Sequence, residues 1–162
     1  MKALSDRQNV SGFTLIELLV VVIILGILAS IGLPSLLNQA AKAKQTSAKL
    51  VISSVNRAQQ AYRIEKPTFA VTWTDLEIGI PEQDQDYTYT LGASSETTTT
   101  IEAESEAPEL KDYSGGVVVM EDSGQTSTAA CQTIKAGGSA ILPTLNRSTG
   151  AACDSAGIEV AR

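Results

Sequence analysis

Residues 11–33 read Ser11-Gly12-Phe13-Thr14-Leu15-Ile16-Glu17-Leu18-Leu19-Val20-Val21-Val22-Ile23-Ile24-Leu25-Gly26-Ile27-Leu28-Ala29-Ser30-Ile31-Gly32-Leu33. One acid, Glu17, stands among residues that favour hydrocarbon. From Leu18 to Ala41 there are 24 residues without a charge, more than the roughly 20 that cross a bilayer as a helix. A lone carboxylate in such a segment costs about 2.5–3.5 kcal/mol on insertion scales, so Glu17 calls for a partner. Upstream, residues 1–12 carry Lys2 and Arg7 against Asp6, which resembles the basic start of an export signal. Basic residues before the span predict a cytoplasmic leader and an outward C-terminal part. Gly26 and Gly32 weaken the helix, and Pro34 removes the hydrogen bond to the carbonyl of Ser30, so a kink or local melting is expected over 26–34. Two alternatives stand beside this reading: Pro34 marks the end of a signal-like segment, or an ordinary signal peptidase cuts after Gly32 in Ser30-Ile31-Gly32.

Beyond Pro34 the pattern turns amphipathic. Leu37, Ala41, Ala48, Val51, Val55, Ala58 and Tyr62 follow helical steps on one stripe, while Lys42, Lys49, Arg57 and Arg63 fall off it and Lys44 occupies the stripe's missing place. No Gly or Pro interrupts residues 35–66. The spacing predicts one continuous helix over about 13–65, roughly 80 Å at 1.5 Å per residue. A domain of under a hundred residues cannot bury that length, so half of it must find lipid or other copies of itself. Pro67 stops the helix, with a short turn expected at 73–76. The period then changes to two: 87–91, 97–103 and 116–120 are β-branched or aromatic runs that predict a three-stranded meander. Its apolar face would pack on Val51, Val55, Ala58 and Tyr62. The expected class is α+β, a long N-terminal α-helix packed on a small antiparallel sheet. Residues 121–162 are rich in Ser, Thr, Gly and Ala, with short strands expected at 140–142 and 157–160. The expected organisation is a leader over 1–12, a membrane half of the helix over 13–36, and a head over 37–162. That head comprises the amphipathic half over 37–65, a sheet over about 87–120 and a cysteine-bounded region over 131–153.

Charge and composition narrow the function classes. Residues 66–162 hold five basic residues against fifteen acids, a net −10 within a chain of −6, which disfavours binding to nucleic-acid phosphates. The chain has no His, which removes the commonest general base and metal ligand. No nucleophile elbow, phosphate-cradling glycine loop or metal-ligand spacing is present, and no cofactor is expected. Thr97 to Thr100 reads as strand or as a glycosylation site. Asn146-Arg147-Ser148 fits a glycosylation sequon. Cys131 and Cys153, an even count beyond a membrane segment, suggest a disulfide; two unrelated thiols are the alternative. Closing that loop stabilises by about 3 kcal/mol on the chain-entropy estimate.

The run Gly12-Phe13-Thr14-Leu15-Ile16-Glu17-Leu18, with the apolar stretch behind it, resembles the class III signal of the type IV pilin family, which includes the pseudopilins of type II secretion. Gln59-Gln60-Ala61-Tyr62 through Pro67-Thr68-Phe69-Ala70 further resembles cyanobacterial pilin-like proteins, some of them G/H-type pseudopilins. The resemblance implies that a membrane-embedded prepilin peptidase cuts after Gly12 and methylates the new amino terminus at Phe13. It implies that Glu17 serves assembly and that Gly26 and Pro34 stand where the helix is weakened. A Cys131–Cys153 loop is similar to the disulfide-bounded region of many pilins, whereas G-type pseudopilins usually lack it and bind calcium. Asp122 and Asp154 are too isolated to form such a site. The cut leaves one new cation four residues from Glu17, the Phe13 amine. A Glu17–Phe13 pair between neighbouring subunits would neutralise both charges and set the axial register.

The implied function is a structural subunit, not an enzyme, that polymerises into a type IV pilus for motility, adhesion or DNA uptake. The alternative is a pseudopilin of a type II secretion system; a third reading is a membrane-anchored binding module. Implied partners are other copies of the chain, the prepilin peptidase, and an inner-membrane platform with an ATPase motor, with no direct nucleic-acid binding. The implied location is the inner membrane, single-pass, with the head outside the cytoplasm, and then an extracellular pilus or a periplasmic pseudopilus.

Overall fold

The computed structural model describes residues 12–155 and 157–160. The leader expected over 1–12 therefore lies, apart from Gly12, outside the described residues. Helix α1 (Leu15–Glu65) runs without interruption through Gly26, Gly32 and Pro34. Over 26–34, where the sequence predicts a kink or local melting, the helical hydrogen-bond pattern is continuous. The chain divides near Gln39 into two compact units. In the first, every described residue is solvent-exposed, including the whole apolar run.

The second unit is the α+β domain. After α1, Pro67 ends the helix, and Thr72 starts the four-residue α2 (Trp73–Leu76) with a capping box. Its hydroxyl accepts from the Asp75 N–H, and Asp75 accepts from the Thr72 N–H. Strands β1 (Tyr87–Leu91), β2 (Thr98–Ser105), β3 (Tyr113–Val119), β4 (Thr126–Thr133) and β7 (Gly157–Glu159) form one antiparallel sheet in the order β1-β2-β3-β4-β7. Strands β5 (Thr144–Asn146) and β6 (Gly150–Ala152) form a separate hairpin. The Asn146 side-chain carbonyl closes its turn by accepting from the Ser148 and Thr149 amides and the Ser148 hydroxyl.

This corrects the expected sheet at several points. The sheet has five strands and does not end near 120. The expected strand at 97–103 shifts to β2, and that at 116–120 begins earlier, at Tyr113. Residues 140–142 form no strand; the strand begins after Pro143. Strand β4 escaped the sequence reading because Thr-Ser-Thr-Ala-Ala-Cys-Gln-Thr contains no large apolar residue. Cys131 lies inside this strand rather than at the border of a separate region.

Packing explains the small residues. Strand β3 is buried at all seven positions, so both of its faces are covered. On one face, α1 supplies Ala48, Ile52 and Val55 to a core with Ala70, Leu76, Tyr87, Tyr89, Ile101, Ala103, Leu110 and Tyr113. A Cβ at Gly115 would lie 2.7 Å from Ile52 Cγ2 and 2.8 Å from Asn56 Oδ1. On the other face, a Cβ at Gly116 would lie 2.8 Å from Pro143 and 2.9 Å from Leu145. The glycine pair lets the helix approach from one side and the β5–β6 segment from the other. Ser114 donates to the Ile141 carbonyl, and the Ala151 amide donates to Ser127. The Cys131–Cys153 disulfide, with an S–S distance of 2.00 Å, ties the end of this segment to β4.

The helical face that packs is rotated from the expected stripe. Ile52, Asn56 and Gln59 are buried, whereas Val51, Ala58 and Tyr62 are half-buried and Leu37 is exposed. Burying two amides is sustained by hydrogen bonds to the backbone. Asn56 donates to the Ala129 carbonyl at 3.1 Å. Gln59 accepts from the Ala70 N–H at 2.9 Å and donates to the Ala70 carbonyl at 3.0 Å. Gln59 thus does for the 67–72 loop what a neighbouring strand would do, satisfying both backbone groups of one residue.

Candidate functional site

The site begins at the start of α1. Residues 12–14 precede the helix, and Phe13 is exposed. Thr14 and Glu17 form the reciprocal contacts of a capping box. The Glu17 Oε2 accepts from the Thr14 N–H at 3.0 Å and from its hydroxyl at 2.7 Å, and the Glu17 N–H donates to Thr14 Oγ1 at 3.3 Å. The free amides of a first helical turn are what such a carboxylate satisfies. Both carboxylate contacts use Oε2; no hydrogen bond is made to Oε1 within the described residues. The sequence reading named Glu17 from its unpaired charge and missed Thr14, although Thr-x-x-Glu before an apolar run is the pattern that finds it.

Behind this turn lies the apolar surface. The large apolar side chains at 13, 15–16, 18–25, 27–28, 31, 33 and 36–37 are all exposed, none less than 44%. A contiguous surface of this size exceeds what a protein in water leaves open and marks contact with lipid or with other protein. The helix is long and apolar enough to cross a membrane. A Cβ at Gly26 or Gly32 would meet nothing within 4 Å, so packing within the chain does not require these glycines.

In the head, electrostatics are local. Lys44 Nζ lies 2.6 Å from Asp86 Oδ1, and that hydrogen bond and charge raise the lysine above its ordinary range. Burial pushes the Asp84 carboxyl up, but hydrogen bonds from the Asp86 and Tyr87 amides and the Tyr89 hydroxyl outweigh it, leaving Asp84 below the usual range. Burial pushes the Tyr113 phenol up to about 12. Its ring packs 6.1 Å from Tyr87, which stacks 6.3 Å from Tyr89. Burial and then the Glu104 charge raise Glu102. Among the described residues no group of three or more His, Cys, Asp or Glu could hold a metal ion.

Two family models match the chain. The prokaryotic N-terminal methylation motif matches residues 7–33, and the type IV pilin-like G and H family matches residues 45–154. The chain is 41% identical over 72 residues to the type II secretion system core protein G of Pseudomonas aeruginosa, covering 44% of this chain and 51% of that protein. It is 42% identical over 74 residues to the core protein G of Vibrio cholerae, covering 46% and 51%. To the type IV major pilin PilA of Myxococcus xanthus it is 42% identical over 59 residues, covering 36% and 27%. The match thus spans about half the length of the secretion proteins and about a quarter of the pilin. The methylation motif, the exposed apolar helix with its first-turn glutamate and the helix-on-sheet head converge on one conclusion: the chain is a structural protein of the type IV pilin-like G and H family.

Proposed function

We propose that the chain is a pseudopilin-type subunit, cut after Gly12, methylated on the Phe13 amine and polymerised through its apolar helix into a short filament of a type II secretion machine. The observation that carries this reading is the apolar surface over residues 13–37, left open on a chain whose other unit is closed and acidic. In the inner membrane, lipid solvates that surface; in the filament, other copies bury it at about 25 cal/mol per Å². Glu17 keeps its Thr14 contacts through Oε2 and receives the Phe13 amine of the neighbouring subunit on Oε1. Methylation leaves that amine cationic. The weakening residues Gly26, Gly32 and Pro34 let the helix bend during extraction by an ATPase-driven platform. The head stands outside the cytoplasm. The similarity to type II secretion core G proteins supports the secretion filament over the pilus.

The pilus remains the second reading, favoured by the Cys131–Cys153 bridge, a feature the chain shares by resemblance with pilins. Deleting the gene separates the two. Loss of secreted proteins with surface filaments intact supports the secretion reading, and the reverse result supports the pilus. The mass of the mature chain tests processing, with an N-methylated Phe13 start expected. A start at Leu33 sinks both.

A further inference from the structure

Apart from its terminal acids Glu17 and Glu65, α1 contains no carboxylate, and the cations of its head portion differ in what they touch. Lys44 is paired with Asp86, and Arg63 donates to the Glu96 and Lys66 carbonyls. Lys49 lies 5.7 Å from the centre of the Tyr113 ring. Among the described residues, neither Lys49 nor Arg57 has a carboxylate partner. Both line a groove of about 500 Å³ between α1 and the β4–β7 side of the sheet, with Leu50, Ser54, Thr128 and one carboxylate, Glu159. Leu50 is 64% exposed, an apolar side chain of the groove left in water.

The opposite face of the sheet presents the complement. The β5–β6 segment lies against β3 and β4 and leaves the outer face of β1–β2 open. There Thr88 pairs with Glu104 and Thr90 with Glu102 across the strands. The two glutamates share one face at a spacing of two, a repulsive arrangement. Among the described residues neither has a cation partner, and burial, followed by the neighbouring Glu104 charge, raises the Glu102 carboxyl.

We propose that the Lys49–Arg57 groove is a docking site for a second copy of this chain, which seats its Glu102–Glu104 face there. Charge complementarity selects the occupant: a groove with two cations against the single carboxylate of Glu159, and an anionic strand face, with none of these groups in an ion pair among the described residues. The two surfaces lie on opposite faces of one sheet, so the contact joins unlike patches and propagates instead of closing into a pair. That is the geometry a filament needs. The inference rests on the polymer reading above and adds to it which head surfaces meet.

The test uses the full-length chain in cells that carry its assembly machinery. Arg57→Glu and Glu102→Arg are each expected to reduce sedimentable filament about tenfold or more, and the double variant to restore most of it. Independently, the doubly substituted chain Ser54→Cys plus Thr90→Cys, which alters no charge, is expected to form a ladder of disulfide-linked copies that Glu17→Ala abolishes. Single reversals without effect, a double variant no better than the singles, or crosslinks only to a different protein would each overturn the docking site. If the wild type forms no filament and Glu17→Ala changes nothing, the polymer reading itself fails. The crosslink remains decisive should a reversed charge unfold the head.

Discussion

Gln59 and Glu17 show how differently single residues declare themselves. Glu17 is legible because a carboxylate at the head of 24 uncharged residues must either find a partner or reach the membrane interface. Gln59 is not, because a glutamine on an amphipathic helix usually faces water, and only the fold-back of Ala70 gives it two partners. Gln59→Leu keeps the volume and strands the Ala70 N–H, while the C=O keeps the Ser94 hydroxyl. The expected loss is about 1–3 kcal/mol in denaturant unfolding of the detergent-solubilised chain. Glu17→Gln retains an acceptor for the Thr14 contacts but loses the charge. It is expected to leave the chain membrane-bound and abolish filament assembly, read by fractionation and microscopy. Wild-type filament levels in that variant would sink the proposed Glu17–Phe13 pair.

At the level of elements, β3 and β4 carry the argument. An apolar strand buried on both faces ordinarily announces itself as a run of large side chains; here the middle of β3 is Gly115-Gly116, and β4 has only small and polar residues. These are the residues that close approach by a helix and a hairpin demands. Gly115→Ala is expected to destabilise by about 1–3 kcal/mol, since its Cβ meets Ile52 and Asn56 below van der Waals distance. The bridge across 22 residues secures the segment that covers the outer face. Cys131→Ala with Cys153→Ala is expected to cost about 2–4 kcal/mol. It should also make the 134–150 segment the first site of limited proteolysis, since that segment holds little apolar burial of its own.

For the whole molecule, acid response follows from two carboxylates with opposite signs. The folded-state pKa of Asp84 lies below that of the unfolded chain. Its contribution is therefore present above about 3.9 and lost as pH falls through the folded value. Asp84→Asn is expected to lower stability at pH 7 and to converge with the wild type near pH 2, measured by unfolding midpoints across that range. Glu102 works the other way. Its raised value makes a contribution that is present below about 4.3 and lost as pH rises through the folded value. Glu102→Gln should therefore stabilise the isolated chain at neutral pH while weakening the proposed contact between heads. A residue that burdens the monomer and serves the polymer is what that docking contact requires.

The sequence alone determined the parts governed by local chemistry: the uncharged span, the lone acid, the capping-compatible start, the long helix ending before Pro67, and β1. Each follows from hydropathy, period or backbone restriction within a few neighbouring residues. Tertiary structure alone decided which helical face is buried, the strand character of residues 126–133 and the covering of β3 on both faces. Those outcomes depend on close approach between segments up to 73 residues apart, as between Asn56 and Ala129. Small and amide side chains gain their roles there from the surfaces brought against them, which no local pattern contains.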